Sequence, residues 1–385
     1  MADPRQDASA QSAISPDEFA AWLRLLETPG VGRETARRLL AAFGSAEAIF
    51  DASRASVGTV SNAAVASALG TPPPEYEQRL SAARAWLDGG PGRSVLTLGD
   101  PLYPPLLLQA ADPPLLLYVQ GSAALLSAPS VAVVGSRNPT PQGADNARQF
   151  AAGLSGAGLV VVSGLALGID GAAHDGALTG SAGTIAVVGT GLDRVYPARH
   201  RRLAHRIAEA GALVSEYAPG TPPLPENFPQ RNRIIAGLSL GTLVVEAALQ
   251  SGSLITARLA LESDREVFAI PGSIQSALSR GCHALIRQGA MLVESPVEIV
   301  DALRGFVAAP AAAARPDVAP SEATQAARPH DPVLAALGHD PVTLDEMISR
   351  TGWPAHELAA RLLDLELAGQ VARLPGGLYQ RRLTA

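Results

Sequence analysis

Apolar residues recur along this chain in patterns that change along its length, and each pattern predicts a different kind of structure. In residues 17–88 they follow helical spacing, as Phe19, Trp22 and Leu23 illustrate in the segment DEFAAWLRLLE. In residues 94–306, short runs that are apolar throughout alternate with amphipathic stretches. Such runs are typical of parallel strands whose two faces are both covered by helices. The pattern therefore predicts a helical N-terminal part followed by an α/β domain.

Nine segments of the α/β part are predicted to be strands. They are SVLTL, PLLLYVQG, VAVVGSR, LVVVSG, TIAVVGTG, ALVSEY, TLVVEA, EVFAIPG and AMLVES. Helical stretches such as NARQFAAGLSGAG and SLITARLALESD lie between them. We expect a Rossmann-like, doubly wound and mostly parallel sheet, in which ligands bind at the carboxyl ends of the strands.

The composition between these elements divides the chain into five parts. Residues 1–15 are polar and are predicted to be a disordered tail. Residues 16–90 form a helical domain, and residues 91–306 form the Rossmann-like core. Residues 307–330 are rich in Ala and Pro, which indicates a semi-flexible linker. Residues 331–385 contain three helical patterns and a hairpin with Gly-Gly at its turn, which is the order of a winged-helix domain.

The helical domain contains a turn that is used in some DNA-binding proteins. The string ETPGVGRETARRLL places a Pro-Gly-Val-Gly turn before an amphipathic helix, as in SAM-like and helix-hairpin-helix domains. In DNA-binding versions, the amides of the turn and the start of the next helix hold a phosphate. A plain helical hairpin is the alternative interpretation.

Composition narrows the classes of function. With 47% apolar residues the chain is globular, and its one cysteine, Cys282, excludes an internal disulfide framework and a cysteine-based zinc site within one chain. We see no secretory signal and no apolar stretch that spans a membrane, so we expect a cytoplasmic protein. The net charge of −6 argues only mildly against nucleic acid, because phosphate binding needs a local patch. Every one of the 30 basic residues is Arg, whose planar fork suits phosphate.

Small and hydroxyl residues follow three of the predicted strands, where backbone amides can hold an anion. An Arg in the first of these places can also fork onto a phosphate. The residues predicted to bind there are Gly135, Ser136 and Arg137, then Ser163, Gly164 and Gly168, and finally Ser251, Gly252 and Ser253. For the first place, the alternative is an ordinary turn whose Arg137 is solvated.

Asp170 and His174 stand four residues apart on one predicted helix face. They are compatible with a catalytic pair or with metal ligands, but such a pair more often caps a helix and fixes a loop, which is the interpretation we favour. The glycine spacing around them does not match the dinucleotide fingerprint. No Ser-His-Asp order, Walker A loop or HExxH string occurs in the sequence. We therefore predict no catalytic residue, no metal and no cofactor.

Arginines and one aromatic residue follow two further strands. Arg199 lies in RVYPARHRRLAHR, the densest positive charge of the chain, and is expected to face the ligand crevice; a solvated helix face is the alternative. The string PENFPQRNR is predicted to be a loop that enters a short helix. An aromatic residue among arginines suits unpaired bases and their phosphates. The predicted contacts are Phe228, Arg231, Asn232 and Arg233; alternatively, Phe228 fills the core and the arginines pair with Glu216 or Glu226.

Six strings resemble, in the family's order, the Rossmann-like core of the DprA/Smf family, the DNA-processing proteins of natural transformation. They are VGSR, SGLALGIDGAAH, GTGLDRVYP, FPQRNRIIAGLS, EAALQSGSLITARLALE and AIPGS, and they cover most of residues 94–300. The resemblance implies a protein that binds incoming single-stranded DNA, protects it and loads the RecA recombinase onto it, without cofactor or turnover. It carries the family's DNA pocket onto Gly135, Ser136 and Arg137 and onto Phe228, Arg231, Asn232 and Arg233.

Two other functions stay open. The core also resembles nucleotide phosphoribohydrolases of the LOG type, since GTLVVEA is similar to their Gly-Thr-x-x-Glu segment, although AGLSLGT here lacks the Pro-Gly-Gly before it. A DNA-binding regulator would act through the winged helix and use the core for dimerisation. However, the third helix of that domain carries Glu357, Asp364 and Glu366 against the single Arg361, whereas a major-groove helix normally presents cations. This composition favours a protein-contact or weak-binding role for the winged helix.

The end of the core indicates a homodimer. AMLVES is the last strand added to the sheet, so we expect it at an edge with unpaired backbone groups. This strand and the preceding helix are more apolar than an edge exposed to water, and a two-fold partner would cover them, as the family resemblance also implies. In the alternative, they pack inside their own domain under the helix SPVEIVDALRGF. The predicted interface residues are His283, Leu285, Ile286, Met291 and Leu292.

Overall fold

A computed structural model describes residues 14–305 and 331–382 of the chain. The predicted tail, apart from its last two residues, and the predicted linker lie outside the described residues. The described part contains a helical domain, an α/β domain with a nine-stranded sheet, and a small domain of three helices and a three-stranded sheet. The predicted fold class is therefore confirmed.

Six helices form the N-terminal domain. Ser15, Ser45, Ser53 and Asn62 explain where four of them begin, because each side chain accepts a hydrogen bond from a backbone N–H three residues further on. Gly30, at φ +81°, allows the predicted Pro-Gly-Val-Gly turn between the first two helices. The helices are α1 (Pro16–Glu27), α2 (Arg33–Phe43), α3 (Ala46–Asp51), α4 (Arg54–Val60), α5 (Ala63–Leu69) and α6 (Tyr76–Asp88).

Apolar packing and ion pairs join the helical domain to the α/β domain. The ring of Trp86 meets the buried ring of Tyr118 edge-on, with 5.8 Å between centroids. At the start of α2, Arg33 and Arg37 each donate to a carboxylate oxygen of Asp112 at 2.7 Å. Arg33 and Arg37, which follow the Pro-Gly-Val-Gly turn, therefore bind the α/β domain and attach α2 to it.

The α/β domain is built on the predicted sheet, and all nine segments predicted as strands contribute to it. The strand order is β1-β2-β6-β5-β4-β3-β7-β8-β9, with β3 to β9 parallel and with β1 and β2 antiparallel at one edge. The strands are β1 (Arg93–Thr97), β2 (Leu116–Gly121), β3 (Ser130–Val134), β4 (Val160–Ser163), β5 (Thr184–Val187), β6 (Ala212–Ser215), β7 (Gly241–Val244), β8 (Glu266–Ala269) and β9 (Met291–Leu292).

The winding of the chain places a crevice in the middle of this sheet. From β3 to β6 each new strand is added in one direction, and from β7 to β9 in the other. The direction reverses between the neighbours β3 and β7, where such sheets open a crevice at their carboxyl ends. The helices of the domain are α7 (Pro105–Leu108), α8 (Pro141–Gly156), α9 (Ile169–Ala177), α10 (Arg201–Ala210), α11 (Asn227–Leu238), α12 (Ser253–Leu261), α13 (Arg280–Arg287) and α14 (Pro296–Ala302).

The C-terminal domain has the predicted winged-helix order. Gly376 and Gly377, at φ +85° and +73°, form the turn of its hairpin, as the Gly-Gly string indicates. Gln380 donates to Gln142 of α8 at 3.2 Å, so this domain touches the core. Its elements are α15 (Pro332–Leu337), β10 (Val342–Thr343), α16 (Leu344–Thr351), α17 (Ala355–Leu367), β11 (Val371–Leu374) and β12 (Leu378–Arg381).

Some residues predicted to form a dimer interface are exposed, and others pack within the domain. Strand β9 lies at the edge of the sheet, and its Met291 and Leu292 are 42% and 43% exposed. Leu285, by contrast, is only 6% exposed. It lies on the inner face of α13 and packs in the core, so its place in the predicted interface is wrong. Ile286 packs partly against the same core cluster. His283 lies 3.0 Å, through Nε2, from the carbonyl oxygen of Gly272.

Candidate nucleic-acid interface

A cleft of about 420 Å³ opens at the carboxyl ends of β3 and β7, where the winding direction reverses. We call it the switch-point cleft. Three segments that are distant in sequence, 135–137, 228–232 and 251–253, come together in its walls. Of the residues predicted to contact DNA, those lining this cleft are Gly135, Ser136, Arg137, Phe228, Arg231, Asn232, Ser251, Gly252 and Ser253.

The end of β3 brings Arg137 to the mouth of the cleft. The backbone N–H of Ser136 donates to the carbonyl oxygen of Glu246 at 2.7 Å. A Cβ on Gly135 would lie 2.8 Å from the Ile169 side chain and 2.9 Å from the same Glu246 oxygen, so only glycine fits between them. Arg137 follows this close approach; it is exposed and has no ion-pair partner within residues 14–305 and 331–382. Its charge is available to an anion in the cleft.

The protein's own carboxylate occupies the start of α8. Thr140 donates to Glu246 through its backbone N–H at 2.9 Å and through its hydroxyl at 2.6 Å. Burial raises the pKa of Glu246, although the bonds from Thr140 partly oppose that effect. A Cβ on Gly143 would lie 2.3 Å from the same carboxyl group, which leaves no room for a ligand. A dinucleotide phosphate would bind at such a first helix start, so this site is closed to it.

The start of α12, in contrast, is open towards the cleft. Gly252 precedes the helix and gives it no side-chain cap. The hydroxyls of Ser251 and Ser253 lie 2.6 Å apart, and the Ser253 amide donates to the Ser251 hydroxyl at 3.3 Å. Amides and hydroxyls at a helix start attract anions. Ser251, Gly252 and Ser253 line the same cleft as Arg137, so an anion there would meet two hydroxyls and a helix start as well as the guanidinium.

Arg231 lines the cleft but uses its donors on the protein backbone. It is only 4% exposed, and its guanidinium donates to the carbonyl oxygen of Gly164 at 2.5 Å and to that of Val187. Burial lowers its pKa to about 10 despite the nearby Asp170, so it stays charged at neutral pH. Asp170 in turn accepts from the amides of Gly164 and Ala166 at 3.1 and 3.2 Å. Arg231 and Asp170 thus fix the loop that follows β4.

Two predicted DNA contacts are engaged inside the protein. Arg233 donates to Glu216 at 2.6 Å and to Asp112 at 3.2 Å, and its side chain is 12% exposed. The hydroxyl of Ser163 is fully buried and donates to the carbonyl oxygen of Val133 at 2.6 Å. Neither residue lines the cleft, so both predictions are corrected: Arg233 joins α11 to its neighbours, and Ser163 links two strands.

Gly168 and Arg199 also lie outside the switch-point cleft. Gly168 has φ +82°, and a Cβ there would be 2.4 Å from the carbonyl oxygen of Ser136. Its role is to let the loops after β3 and β4 pass close together. Arg199 is exposed on the short 3₁₀ turn Ala198–His200. It keeps a solvated charge near the crevice but is not part of the cleft wall.

An aromatic pair extends the cleft into a smaller recess of about 170 Å³. The rings of Tyr196 and Phe228 lie 5.5 Å apart between centroids at an angle of 40°, and Tyr196 is 49% exposed. Arg137, Phe228 and Arg231 line both the recess and the cleft, so the two cavities adjoin each other. We call this part the aromatic recess. Tyr196 was not among the predicted contacts, although the string VYP after a predicted strand places an aromatic residue at that strand end.

Asp170 and His174 do not form a catalytic pair. His174 lies 2.8 Å, through Nδ1, from the hydroxyl of Thr184, and burial lowers its pKa to about 3, so it is neutral. Asp170 is occupied with the loop amides, as the favoured interpretation expects. Among the described residues no group of three His, Cys, Asp or Glu side chains is arranged to hold a metal ion. In residues 14–305 and 331–382, no helix has the length and apolar character needed to cross a membrane.

Comparison with known protein families assigns each part of the chain. Residues 94–304 match the family described as DNA recombination-mediator protein A, residues 310–377 the DprA winged helix domain, and residues 16–60 the DprA-like N-terminal HHH domain. The chain is 45% identical to Protein Smf of Escherichia coli (strain K12) over 79% of this chain and 81% of that protein. It is 51% identical to DNA processing protein DprA of Streptococcus pneumoniae (strain ATCC BAA-255 / R6) over 52% of this chain and 71% of that protein.

Solved structures agree with this assignment. The X-ray structure of DNA processing protein A from Streptococcus pneumoniae superposes with a TM-score of 0.63 at 39% identity, over 75% of this chain and 98% of that one. DNA processing protein A from Helicobacter pylori, whose structure was described for its single-stranded DNA binding mode, matches with a TM-score of 0.50 at 32% identity, over 55% of this chain and 96% of that one. The chain therefore belongs to the DprA/Smf family of DNA-processing, recombination-mediator proteins.

Proposed function

We propose that this protein binds single-stranded DNA in the switch-point cleft and, in the cytoplasm during natural transformation, protects incoming strands and loads the RecA recombinase onto them. One observation carries the DNA-binding part: Arg137, which has no ion-pair partner among the described residues, the start of α12 and the ring pair of Phe228 and Tyr196 line two adjoining cavities. The first two attract phosphate, and the rings accept an unpaired base. The roles in protection and RecA loading are part of the proposal, and membership of a family described as recombination mediators supports them.

The shape of the cleft favours a single strand over a duplex. Its volume of about 420 Å³ is that of a pocket for one small ligand. Bases that are paired and stacked in a duplex cannot present a face to Phe228 or Tyr196, whereas bases of a single strand can turn outwards. We therefore expect the strand to enter with its bases towards the rings and its phosphates towards Arg137 and α12.

The two alternative functions have less support. In α17, Arg361 donates to Asp331 at 2.9 Å, while Glu357 and Asp364 are 59% and 67% exposed, so this helix would meet a duplex backbone with negative charge. In the segment GTLVVEA, the carboxylate of Glu246 is engaged by the N–H and the hydroxyl of Thr140 at the start of α8. We accordingly propose that the protein acts by binding and has no turnover.

We further propose that two copies associate through the edge strand β9. Met291 and Leu292 are apolar, exposed and adjacent to unpaired backbone groups, and a second copy would cover them. A dimer would present two switch-point clefts to one long strand. Two linked sites raise the avidity for such a strand without any new contact.

The test compares a single-stranded thymidine oligonucleotide with a blunt duplex of the same length, using the full chain and fluorescence anisotropy at several salt concentrations. We expect clear preference for the single strand and an affinity that falls with salt. Equal affinity for the duplex would support the regulator instead. In parallel, nucleoside monophosphates are incubated with the protein, and release of a free base would support the phosphoribohydrolase.

A further inference from the structure

A second concavity, of about 480 Å³, lies between α10 and the β1–β2 edge of the sheet. Its floor is apolar and is formed by the buried residues Leu165, Val188, Leu192 and Leu213. Its rim is polar and basic. We call it the α10 groove. None of the residues predicted from the sequence to bind DNA lines it, so the function proposed above leaves it unused.

The rim of the α10 groove carries a local excess of positive charge on a chain whose net charge is −6. Arg93, Arg194 and Arg201 line it against the single acidic residue Asp193. Asp193 is already engaged, since it accepts from Arg194 at 2.9 Å and from the Gly220 amide at 2.8 Å. Arg201 is exposed, and no acidic side chain pairs with it in the part of the chain that the structure describes.

The side chain of Arg93, on this rim, is held in place by contacts with Trp86. Its guanidinium packs over the ring of Trp86 at 5.3 Å from the ring centroid and donates to the Trp86 carbonyl oxygen at 2.6 Å. Because Trp86 belongs to α6 and Arg93 begins β1, the junction of the helical domain and the sheet holds this charge in place. A cation that is already ordered loses little conformational freedom when it binds an anion.

The α10 groove and the aromatic recess share two loops. Leu167 and Tyr196 line the recess, whereas Leu165 and Val195, from the same two segments, line the groove. The two cavities are therefore neighbours along these two loops, and the exposed ring of Tyr196 lies between Val195 of the groove and Pro197 of the recess in the sequence. A strand that leaves the recess past Tyr196 would meet the groove next.

We propose that the α10 groove is a second nucleotide subsite, in which the strand held in the switch-point cleft continues past Tyr196, with its next phosphate on Arg201 and a base against the apolar floor. An apolar floor under a cationic rim matches a nucleotide, which has an apolar base face and an anionic phosphate. This inference rests on the proposed single-strand binding. A free nucleotide has the same chemistry, and the experiment separates the two sources.

The experiment compares Arg201→Gln with Arg202→Gln in the full chain. Arg202 is the next residue of α10; it is exposed and does not line the groove, so its variant removes the same charge from a neighbouring position. Both variants are titrated with single-stranded thymidine oligonucleotides of about 4 to 16 nucleotides, the range of single-strand site sizes in comparable proteins. Thermal melting of both variants confirms that they fold. Any avidity from a dimer is the same in both and cancels in the comparison.

For the shortest oligonucleotide we expect the smallest difference in affinity between the variants, because most of its nucleotides then lie in the switch-point cleft and the aromatic recess. For the longer ones, Arg201→Gln should bind about tenfold more weakly than Arg202→Gln, with a salt slope smaller by about 0.7, the value for one phosphate of a single strand. Equal affinity of the two variants at every length would overturn the subsite. An Arg201-dependent loss that is already complete with the shortest oligonucleotide would also overturn it, because Arg201 would then belong to the first site.

Two further arms separate the remaining outcomes. Thymidine monophosphate is titrated alone; if it binds in an Arg201-dependent manner while strand binding shows no dependence on length, the groove is a site for free nucleotides and the proposed strand path is wrong. If the unmodified chain binds no oligonucleotide of any length, the proposed function itself fails, and this inference falls with it. A difference between the variants that grows with length supports both proposals.

Discussion

Replacing Arg231 by Met tests whether this residue holds the cleft together or contacts DNA. The substitution keeps a long, unbranched side chain and removes only the guanidinium. Two buried carbonyl oxygens, of Gly164 and Val187, then lose their donor. Asp170, which is buried and points at the same loop, loses its nearest positive charge. We therefore expect an effect on folding before any effect on DNA.

The expected magnitude follows from the burial of this group. A buried carbonyl left without a donor costs about 1–3 kcal/mol, and the substitution leaves two of them. The variant also loses the electrostatic attraction between Arg231 and Asp170, which do not contact each other as an ion pair. We therefore expect the free energy of unfolding to fall by about 3–5 kcal/mol, out of a total of about 5–15 kcal/mol for a typical protein. For a domain of this size, the melting temperature should fall by about 6–20 °C.

The loss should also depend on pH, with a defined sign. Burial already raises the pKa of Asp170 above its ordinary value, and Arg231 opposes that effect. Without Arg231 the pKa of Asp170 rises further in the folded variant. Asp170 therefore keeps its proton in the folded state at pH values where the unfolded chain releases it. Between the two pKa values the folded state binds more protons, and stability falls as pH rises. The deficit of the variant should therefore be largest at neutral pH and smaller at about pH 5, above the ordinary pKa of an Asp.

The assay is urea unfolding of both proteins, followed by circular dichroism at the two pH values. Adding Asp170→Asn to the variant removes the uncompensated charge, and it should restore part of the stability at neutral pH but little in acid. A deficit below about 1 kcal/mol, or one that is independent of pH, would refute the reasoning. Loss of oligonucleotide affinity with unchanged stability would make Arg231 a DNA contact, as the sequence analysis first predicted.

The remaining predictions concern the cleft and the sheet edge. Arg137→Ala should weaken binding of a single strand by about 1–3 kcal/mol and reduce the salt slope by about 0.7, as measured by anisotropy across a salt series. Phe228→Ala and Tyr196→Ala should each lose about 1–3 kcal/mol of stacking in the same assay while the salt slope stays unchanged. Changing Met291 and Leu292 together to Glu should give a folded monomer in sedimentation velocity that still binds short oligonucleotides but holds long strands less tightly.

Each of these predictions has a control. Arg258 is exposed on α12 outside the cleft, and Arg258→Ala should leave the affinity and the salt slope close to those of the unmodified chain. If Arg258→Ala weakened binding as much as Arg137→Ala does, Arg137 would contribute only general positive charge. If Phe228→Ala lowers the melting temperature but not the affinity, the ring belongs to the core. A Glu variant of Met291 and Leu292 that remains a dimer would place the interface elsewhere.

The sheet was predictable because its strands are apolar throughout, and the place of the cleft followed from the sheet. The local conformation of the string FPQRNR was not predicted correctly. Pro229 lies in the first turn of α11, where the helix has no need of that N–H. From the sequence, this string was instead predicted to be a loop that enters a short helix. Helix α11 therefore begins at Asn227, before the residues whose apolar spacing is helical.

The prediction of a loop in place of the first turns of α11 explains why Arg233 was predicted to contact DNA. At about 100° per residue, two helical positions that are two apart point to nearly opposite sides of the helix. Arg231 therefore faces the cleft, and Arg233 faces Glu216 and Asp112. Had the helix been predicted, its geometry would have separated the two. The ion-pair alternative noted for this string correctly anticipated Glu216 as a partner.

Other parts of the site depend on contacts between segments that are far apart in sequence. Glu246 caps α8 across more than a hundred residues, and Tyr196 meets Phe228 across a helix and a strand. No local period encodes such pairs, since each residue alone is compatible with a loop or a strand end. The same holds for Leu285, whose side chain was expected at an edge and lies in the core because α13 covers the sheet.

The central claim is that an unpaired strand lies in the switch-point cleft against the two aromatic rings. Ultraviolet cross-linking of a single-stranded thymidine oligonucleotide to the full chain, followed by mass spectrometry of the linked peptides, tests it most directly. We expect cross-links at Tyr196 and Phe228 that an excess of unlabelled single strand removes and an excess of blunt duplex leaves in place. Cross-links confined to α17 or to the turn before α2, with none at these rings, would contradict the account.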